Sequence, residues 1–246
     1  MTDPVFRIVI PARFQSQRLP GKPLLEINNK PIIQYVYENA LASGALSVTI
    51  ATDDERIAEC ADRFEADICM TSIEHRSGTD RIAEVCEERG WRGQEIVVNV
   101  QGDEPEMSNE NIRQLAELLD RHEDAQIATL CWPITDEVEA QNPNIVKAAY
   151  GEKQNALYFS RSPIPYHRDP SERPLARHIG IYAYRVDYLK RFVNYPATSL
   201  EKTECLEQLR ALEHGDKIVI EQCAIEPGIG VDTREDYEAL KCRLTI

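Results

Sequence analysis

Apolar and polar positions follow two rhythms along this chain, and each predicts a different element. Residues 5–11 form an apolar run short enough to be a buried strand. Across residues 31–43, Ile32, Ile33, Val36, Ala40 and Leu41 recur at helical spacing, with Pro31 suited to a first turn and Gly44 to the position past the end. A strand is predicted over 46–51, a helix over 54–66 with Ile57, Ala61 and Phe64 inward, and a brief strand over 68–71. A helix over about 79–89, the buried strand 95–100 (EIVVNV) and a helix over about 109–122 follow. This alternation predicts an α/β fold with a mostly parallel sheet covered by helices on both faces.

The pattern loosens in the second half. Strands are predicted over 127–131, 146–149, 156–160 and 179–184, with an exposed loop over 163–174. Residues 186–195 carry helical spacing, and Thr198-Ser199-Leu200-Glu201 is a capping box ahead of a helix reaching about 214. A strand over 217–223 and a helix over 233–243 close the chain. No repeat or linker divides it, which predicts a single domain over 1–246 with an inserted region near 130–195.

Composition narrows the function. With 42% hydrophobic and 28% charged residues the chain is an ordinary globular sequence, and no apolar run approaches the ~20 residues a bilayer crossing needs. The net charge of −14 disfavours nucleic acid and anionic membrane as partners. Seven scattered cysteines without a C-x-x-C pair do not form a disulfide framework or a zinc site, and the start Met1-Thr2-Asp3-Pro4 does not resemble a signal peptide. A cytoplasmic location is expected.

Ligands of open parallel sheets bind beyond the carboxyl ends of the strands, and three unusual segments fall at such ends. They are Pro11-Ala12-Arg13, Ala51-Thr52-Asp53-Asp54 and Gln101-Gly102-Asp103-Glu104-Pro105. The first opens a loop with Arg13, Arg18 and Lys22, the hydroxyl of Ser16 and the permissive Gly21. Guanidinium forks and a lysine point charge suit a triphosphate. A merely solvated basic loop is the alternative. The P-loop and dinucleotide-binding glycine patterns are both absent.

The stretch R-x-x-S-x-R-L-P-G-K-P-L from Arg13 resembles the signature of 3-deoxy-manno-octulosonate (KDO) cytidylyltransferases. The resemblance continues, in the family's order, through Ala51-Thr52-Asp53, Ser77-Gly78-Thr79-Asp80-Arg81 and the segment 99–105. It resumes at residues 156–161, 177–182 and 206–210, and at Gly230-Val231-Asp232-Thr233. It implies a Rossmann-like nucleotidyltransferase fold, a homodimer, and transfer of CMP from CTP to the anomeric hydroxyl of KDO for lipopolysaccharide synthesis.

By that resemblance Asp103 and Asp232 are expected to hold Mg²⁺. Lys22 and Arg13 are expected on the triphosphate, with Ala12, Arg18, Ser77, Gly78 and Arg81 on the nucleotide side. Gln101 is expected to meet base, ribose or sugar, and Arg161, His178, Tyr182, Glu207 and Gln208 the sugar acid. Simpler roles stand beside these. Asp103 could cap a turn and Asp232 the last helix, Arg81 could be a surface cation, and His178 and Tyr182 could pack. Lys202 and Gln17 depart from the family pattern, and Lys202, a cation close to the expected sugar region, admits an amino-substituted KDO or another ulosonic acid. The rival readings are a CMP-sialic acid synthetase, an NDP-sugar pyrophosphorylase and a nucleotide-binding regulatory module. The joint presence of Asp103 and Asp232 argues for catalysis.

Overall fold

The computed structural model describes residues 4–15, 18–169 and 174–244. The opening residues 1–3, Ser16 and Gln17 of the basic loop, and residues 170–173 of the expected 163–174 loop lie outside it. In chain order the elements begin with β1 (Phe6–Ala12), a 3-10 turn (Lys22–Leu24) and a small hairpin, β2 (Glu26–Ile27) and β3 (Lys30–Pro31). Next come α1 (Ile32–Ala42), β4 (Ser47–Thr52), α2 (Glu55–Asp62), β5 (Asp67–Met70), α3 (Gly78–Glu88), β6 (Ile96–Asn99) and α4 (Asn109–Arg121). The second half holds β7 (Ile127–Ile134), α5 (Glu137–Gln141), β8 (Lys147–Tyr150), β9 (Ala156–Ser160), β10 (Leu175–Arg185) and α6 (Val186–Phe192). The last elements are α7 (Ser199–Glu204), α8 (Gln208–Glu213), β11 (Ile218–Gln222) and α9 (Arg234–Leu244).

One sheet carries the fold, in the order β11-β7-β10-β6-β1-β4-β5, with β8 on β10 and β9 on β8. β1 pairs in parallel with both β4 and β6, and β10 runs against β6 and β7. The 130–195 region is thus continuous with the sheet: its β10 lies between β6 and β7. The period-two alternation of β1 sorts the layers. Phe6, Ile8, Ile10 and Ala12 point into a core built with α1, α2 and α4. Val9 points into a second core with α3, α6 and α8. A third, smaller cluster joins Leu19, Ile27 and Ile32 to Val231, Tyr237 and Leu240 of the chain's end.

Two expectations need correction. The helix predicted over 54–66 stops at Asp62, and the one predicted from Thr198 to about 214 is two helices, α7 and α8. Cys205 breaks the latter at a left-handed φ of 53°. Polar caps fix the starts of α2 and α4: Asp54 accepts from the Arg56 amide at 3.0 Å, and Ser108 from the Asn111 amide at 3.1 Å.

Candidate active site

Strand order turns back beside β1: the chain adds β4 and β5 on one side, crosses with α3, and lays β6 on the other. Loops leaving adjacent β1 and β6 frame a crevice at such a point. There the structure has a cavity of about 270 Å³ lined by Ala12, Arg13, Lys22, Ser77, Gly78, Gln101 and Asp103, with Gln15, Arg76 and Gly102 among the remaining walls. A side chain at Gly102 would come within 3.1 Å of the Pro11 carbonyl oxygen, so glycine lets the two strand-end loops meet.

Arg13 lines the cavity, donating from Nη2 to the His75 carbonyl at 2.8 Å and from Nη1 to the Arg76 carbonyl at 3.4 Å. It thereby ties the loop after β1 to the start of α3. Ser77 and Asp80 form a capping box there. The unpaired amides of the first turn face anions at any helix N-terminus, and here that end opens on the cavity through Ser77 and Gly78.

The mouth is charged. Lys22 Nζ hydrogen-bonds Asp103 Oδ2 and lies 3.1 Å from Asp232 Oδ1, while Arg18 meets the other oxygen of Asp232 at 2.9 Å. Burial pushes the Lys22 pKa down, but Asp103 and Asp232 outweigh it and leave it raised. Asp232 does not cap α9. Thr233 does, its Oγ1 accepting from the Asp236 amide at 3.2 Å and its own amide donating to Asp236 at 2.8 Å. Asp103 and Asp232, 129 residues apart in sequence, are drawn together by a backbone bond of 2.9 Å from the Val231 amide to the Asp103 carbonyl.

Mg²⁺ takes one or two carboxylates and completes its shell with phosphate oxygens and water. Two carboxylates that share one ammonium fit that donor set. No cluster of three or more His, Cys, Asp or Glu side chains surrounds a common point among the described residues, so a dedicated protein cage is not what these residues form.

Other expected residues fall in different places. Gln101 lines the cavity and donates to Asn99 Oδ1 at 3.2 Å. Arg81 does not line it: the side chain is fully buried, 3.2 Å from Asp53 and hydrogen-bonded to Thr71. Glu207 reaches the start of α3, where the Thr79 hydroxyl donates to it; burial raises its pKa. Gln208 is buried, and its Nε2 has no hydrogen-bond partner. His178 packs between Phe159 and Tyr182, 5.0 and 5.4 Å away, with Nε2 3.1 Å from the Thr129 hydroxyl. Burial pushes His178 down to about 3, so it is neutral at physiological pH. Tyr182 pairs across the sheet with Asn99, which turns both to the face of α3. Arg161 spends Nε on the Glu204 carbonyl at 2.7 Å and Nη1 on the Pro143 carbonyl at 3.0 Å. Lys202 is exposed on α7.

Two residues escaped sequence reasoning. Arg76 joins the cavity wall one position before the motif that was recognised. Glu104 follows Asp103, and its pKa is pushed up to about 8 by burial first and then by Asp103 and Asp232. The resemblance singled out Asp103 of the doublet Asp103-Glu104, and it is Asp103 that meets Lys22; nothing in the sequence gave Glu104 a role.

A crevice at the turning point of a mostly parallel sheet, with cations on one wall and paired carboxylates at its mouth, defines a nucleotidyltransferase. The cytidylyltransferase family model matches residues 7–218. The chain is 52% identical over 243 residues to the 3-deoxy-manno-octulosonate cytidylyltransferase of Alteromonas mediterranea, covering 96% of this chain and 98% of that protein. The enzyme of the same name from Vibrio vulnificus is 51% identical, with 96% of each chain covered. A solved structure of CMP:2-keto-3-deoxy-manno-octonic acid synthetase complexed with CTP superposes with a TM-score of 0.92 at 41% identity, covering 98% of both chains. The chain belongs to the cytidylyltransferase family, among the 3-deoxy-manno-octulosonate cytidylyltransferases.

Proposed function

We propose that this chain transfers CMP from CTP to the anomeric hydroxyl of KDO with Mg²⁺ held by Asp103 and Asp232, as a cytoplasmic homodimer serving lipopolysaccharide synthesis. The observation that carries the reading is the convergence of Asp103 and Asp232 on Lys22 at the mouth of a cation-lined crevice. The sugar hydroxyl oxygen forms a bond to the α-phosphorus and releases its proton to water, while the bond from that phosphorus to the bridging oxygen breaks and pyrophosphate leaves. Positioning and charge neutralisation do most of the work in such a displacement. Lys22, Arg13 and the first turn of α3 neutralise the triphosphate and the charge growing on pyrophosphate. Arg18, beside Asp232, adds to the same field. Bound Mg²⁺ supplies charge neutralisation at the phosphates and lowers the pKa of the sugar hydroxyl. The orphan donor of Gln208, neutral His178, and Tyr182, Glu207 and Arg161 serve the sugar acid, with Gln101 between the two substrates. Gly78, Ala12 and Ser77 approach the nucleotide, and Arg81 acts beneath it by fixing Asp53.

Pyrophosphate release measured over a panel of nucleotides and sugar acids tests this. CTP with KDO is expected to give the highest kcat/KM, and Lys22→Ala to lower it by about 10²-fold or more. Higher turnover with an amino-substituted KDO or with a sialic acid would reassign the acceptor, and equal turnover with UTP or ATP would remove the base preference.

A further inference from the structure

We propose that Lys22 is an internal counter-ion competing with the divalent metal, and that the triphosphate admits the metal by drawing Lys22 off the carboxylates. The inference rests on the metal assignment above and adds to it an order of events.

Lys22 is placed for two incompatible tasks. Its Nζ contacts Asp103 and Asp232 together, and the same side chain lines the cavity beside Arg13 and the start of α3. A divalent ion held by those carboxylates would stand within a few ångströms of the ammonium, where like charges at the edge of a low-dielectric site repel strongly. The carboxylate pair is already balanced: Lys22 and Arg18 bring two positive charges to two negative ones. A metal ion arriving alone therefore gains little from Asp103 and Asp232 and must displace a cation that has nowhere better to go.

A triphosphate changes both terms. It offers the ammonium new oxygens inside the cavity, and it brings the metal the phosphate ligands that Mg²⁺ favours. Lysine suits this exchange, because its flexible four-carbon stem lets the charge move while Cα stays fixed. The backbone around Lys22 is well anchored, with Leu24 and Leu25 amides donating to the Gly21 and Lys22 carbonyls at 2.9 and 3.2 Å, so side-chain rotation alone carries the move. Lys22 would thus couple nucleotide binding to metal binding, apart from its role toward pyrophosphate.

The test is Mn²⁺ binding to the full chain by electron paramagnetic resonance, without substrate turnover. Without nucleotide, wild type is expected to bind Mn²⁺ weakly, and Lys22→Met about tenfold or more tightly. Asp103→Asn in the Lys22→Met background is expected to abolish the gain, and Lys22→Arg, still cationic, to bind as weakly as wild type. Should Lys22→Met fail to fold, Lys22→Gln gives the same reading. Equal Mn²⁺ affinity in wild type and the neutral variants, still dependent on Asp103, would overturn the exchange and leave the metal site standing. Binding indifferent to Asp103 and Asp232, with CTP as well as without, would remove the metal assignment itself.

Discussion

At Asp232 two demands compete for one carboxylate, since a residue just before a helix is commonly needed as its cap. The structure resolves the competition by giving the cap to Thr233 and its capping box to Asp236, which leaves Asp232 facing Lys22 and Arg18. Asp232→Asn is therefore expected to keep its thermal midpoint while kcat falls by about 10²-fold or more. A variant that loses stability and keeps its turnover would return Asp232 to the helix. His178 offers a pH signature. Its folded pKa of about 3 lies below the ~6.5 of an unfolded histidine, so between those values the unfolded chain binds the extra proton. The stability it contributes is complete above about pH 6.5 and is lost as pH falls, by about 1.4 kcal/mol per pH unit. Between pH 6.5 and 5, unfolding free energy should decline less steeply in His178→Gln than in wild type. Parallel slopes would show that the imidazole titrates normally. The residues that sequence reasoning left open depend on tertiary placement: Arg81 lies within α3, and His178 and Tyr182 lie within β10, so periodicity alone did not tell what each meets. Asp103 and Glu104 are chemically alike neighbours, and the fold turns one toward Lys22 and the other toward Gly230.

Among the elements, legibility tracked the strength of local stop signals. Gly44 and Gly90 follow α1 and α3 in left-handed conformation at φ 86° and 68°, and both helix ends lay near where the sequence put them. α2 has no such glycine. Glu65 adopts the left-handed turn instead, at φ 57°, with the Glu65 amide on the Asp62 carbonyl at 3.0 Å and the Ala66 amide on the Ala61 carbonyl at 3.2 Å. A reading by periodicity runs through such a site, because glutamate favours helix. Cys205 hides the break between α7 and α8 in the same way. α5 was missed because five residues are too few to show a period. The strained turn gives a measurable consequence. Glu65→Gly removes the Cβ penalty at an exposed position and is expected to raise unfolding free energy by about 0.5–1 kcal/mol in urea, at unchanged activity. A loss of stability would mean that Glu65 makes a contact worth more than its strain.

On the scale of the whole molecule, the charged mouth of the site joins the two ends of the chain to the loop after β6. The loop between β1 and α1 supplies Arg18 and Lys22, and the approach to α9 supplies Asp232. These meet over a small apolar cluster of their own, Leu19, Ile27 and Ile32 against Val231, Tyr237 and Leu240. Polar ties reinforce it: Tyr237 donates to the Glu26 carbonyl at 2.7 Å, and Arg243 grips Glu106, three residues past Asp103, through bonds of 3.1 and 2.6 Å. Such closure between distant segments has no periodic signature: the resemblance implied that the ends share a site, and the packing brings Lys22 and Asp232 together. The third cluster should therefore govern the site more than the main core does. Leu240→Ala and Leu115→Ala each empty a fully buried position and should each cost about 2–5 kcal/mol. Their effects on nucleotide binding should differ. Loosening α9 misplaces Asp232 and the Leu19 end of the basic loop, so CTP with Mg²⁺ should bind Leu240→Ala about tenfold more weakly, removing about 1.4 kcal/mol of ligand stabilisation. Leu115 lies on α4, on the far side of the sheet from α3, and its variant should keep the full CTP-induced rise in thermal midpoint. Equal CTP responses in the two variants would show that α9 contributes only general stability, and that the basic loop holds its shape without the chain's end.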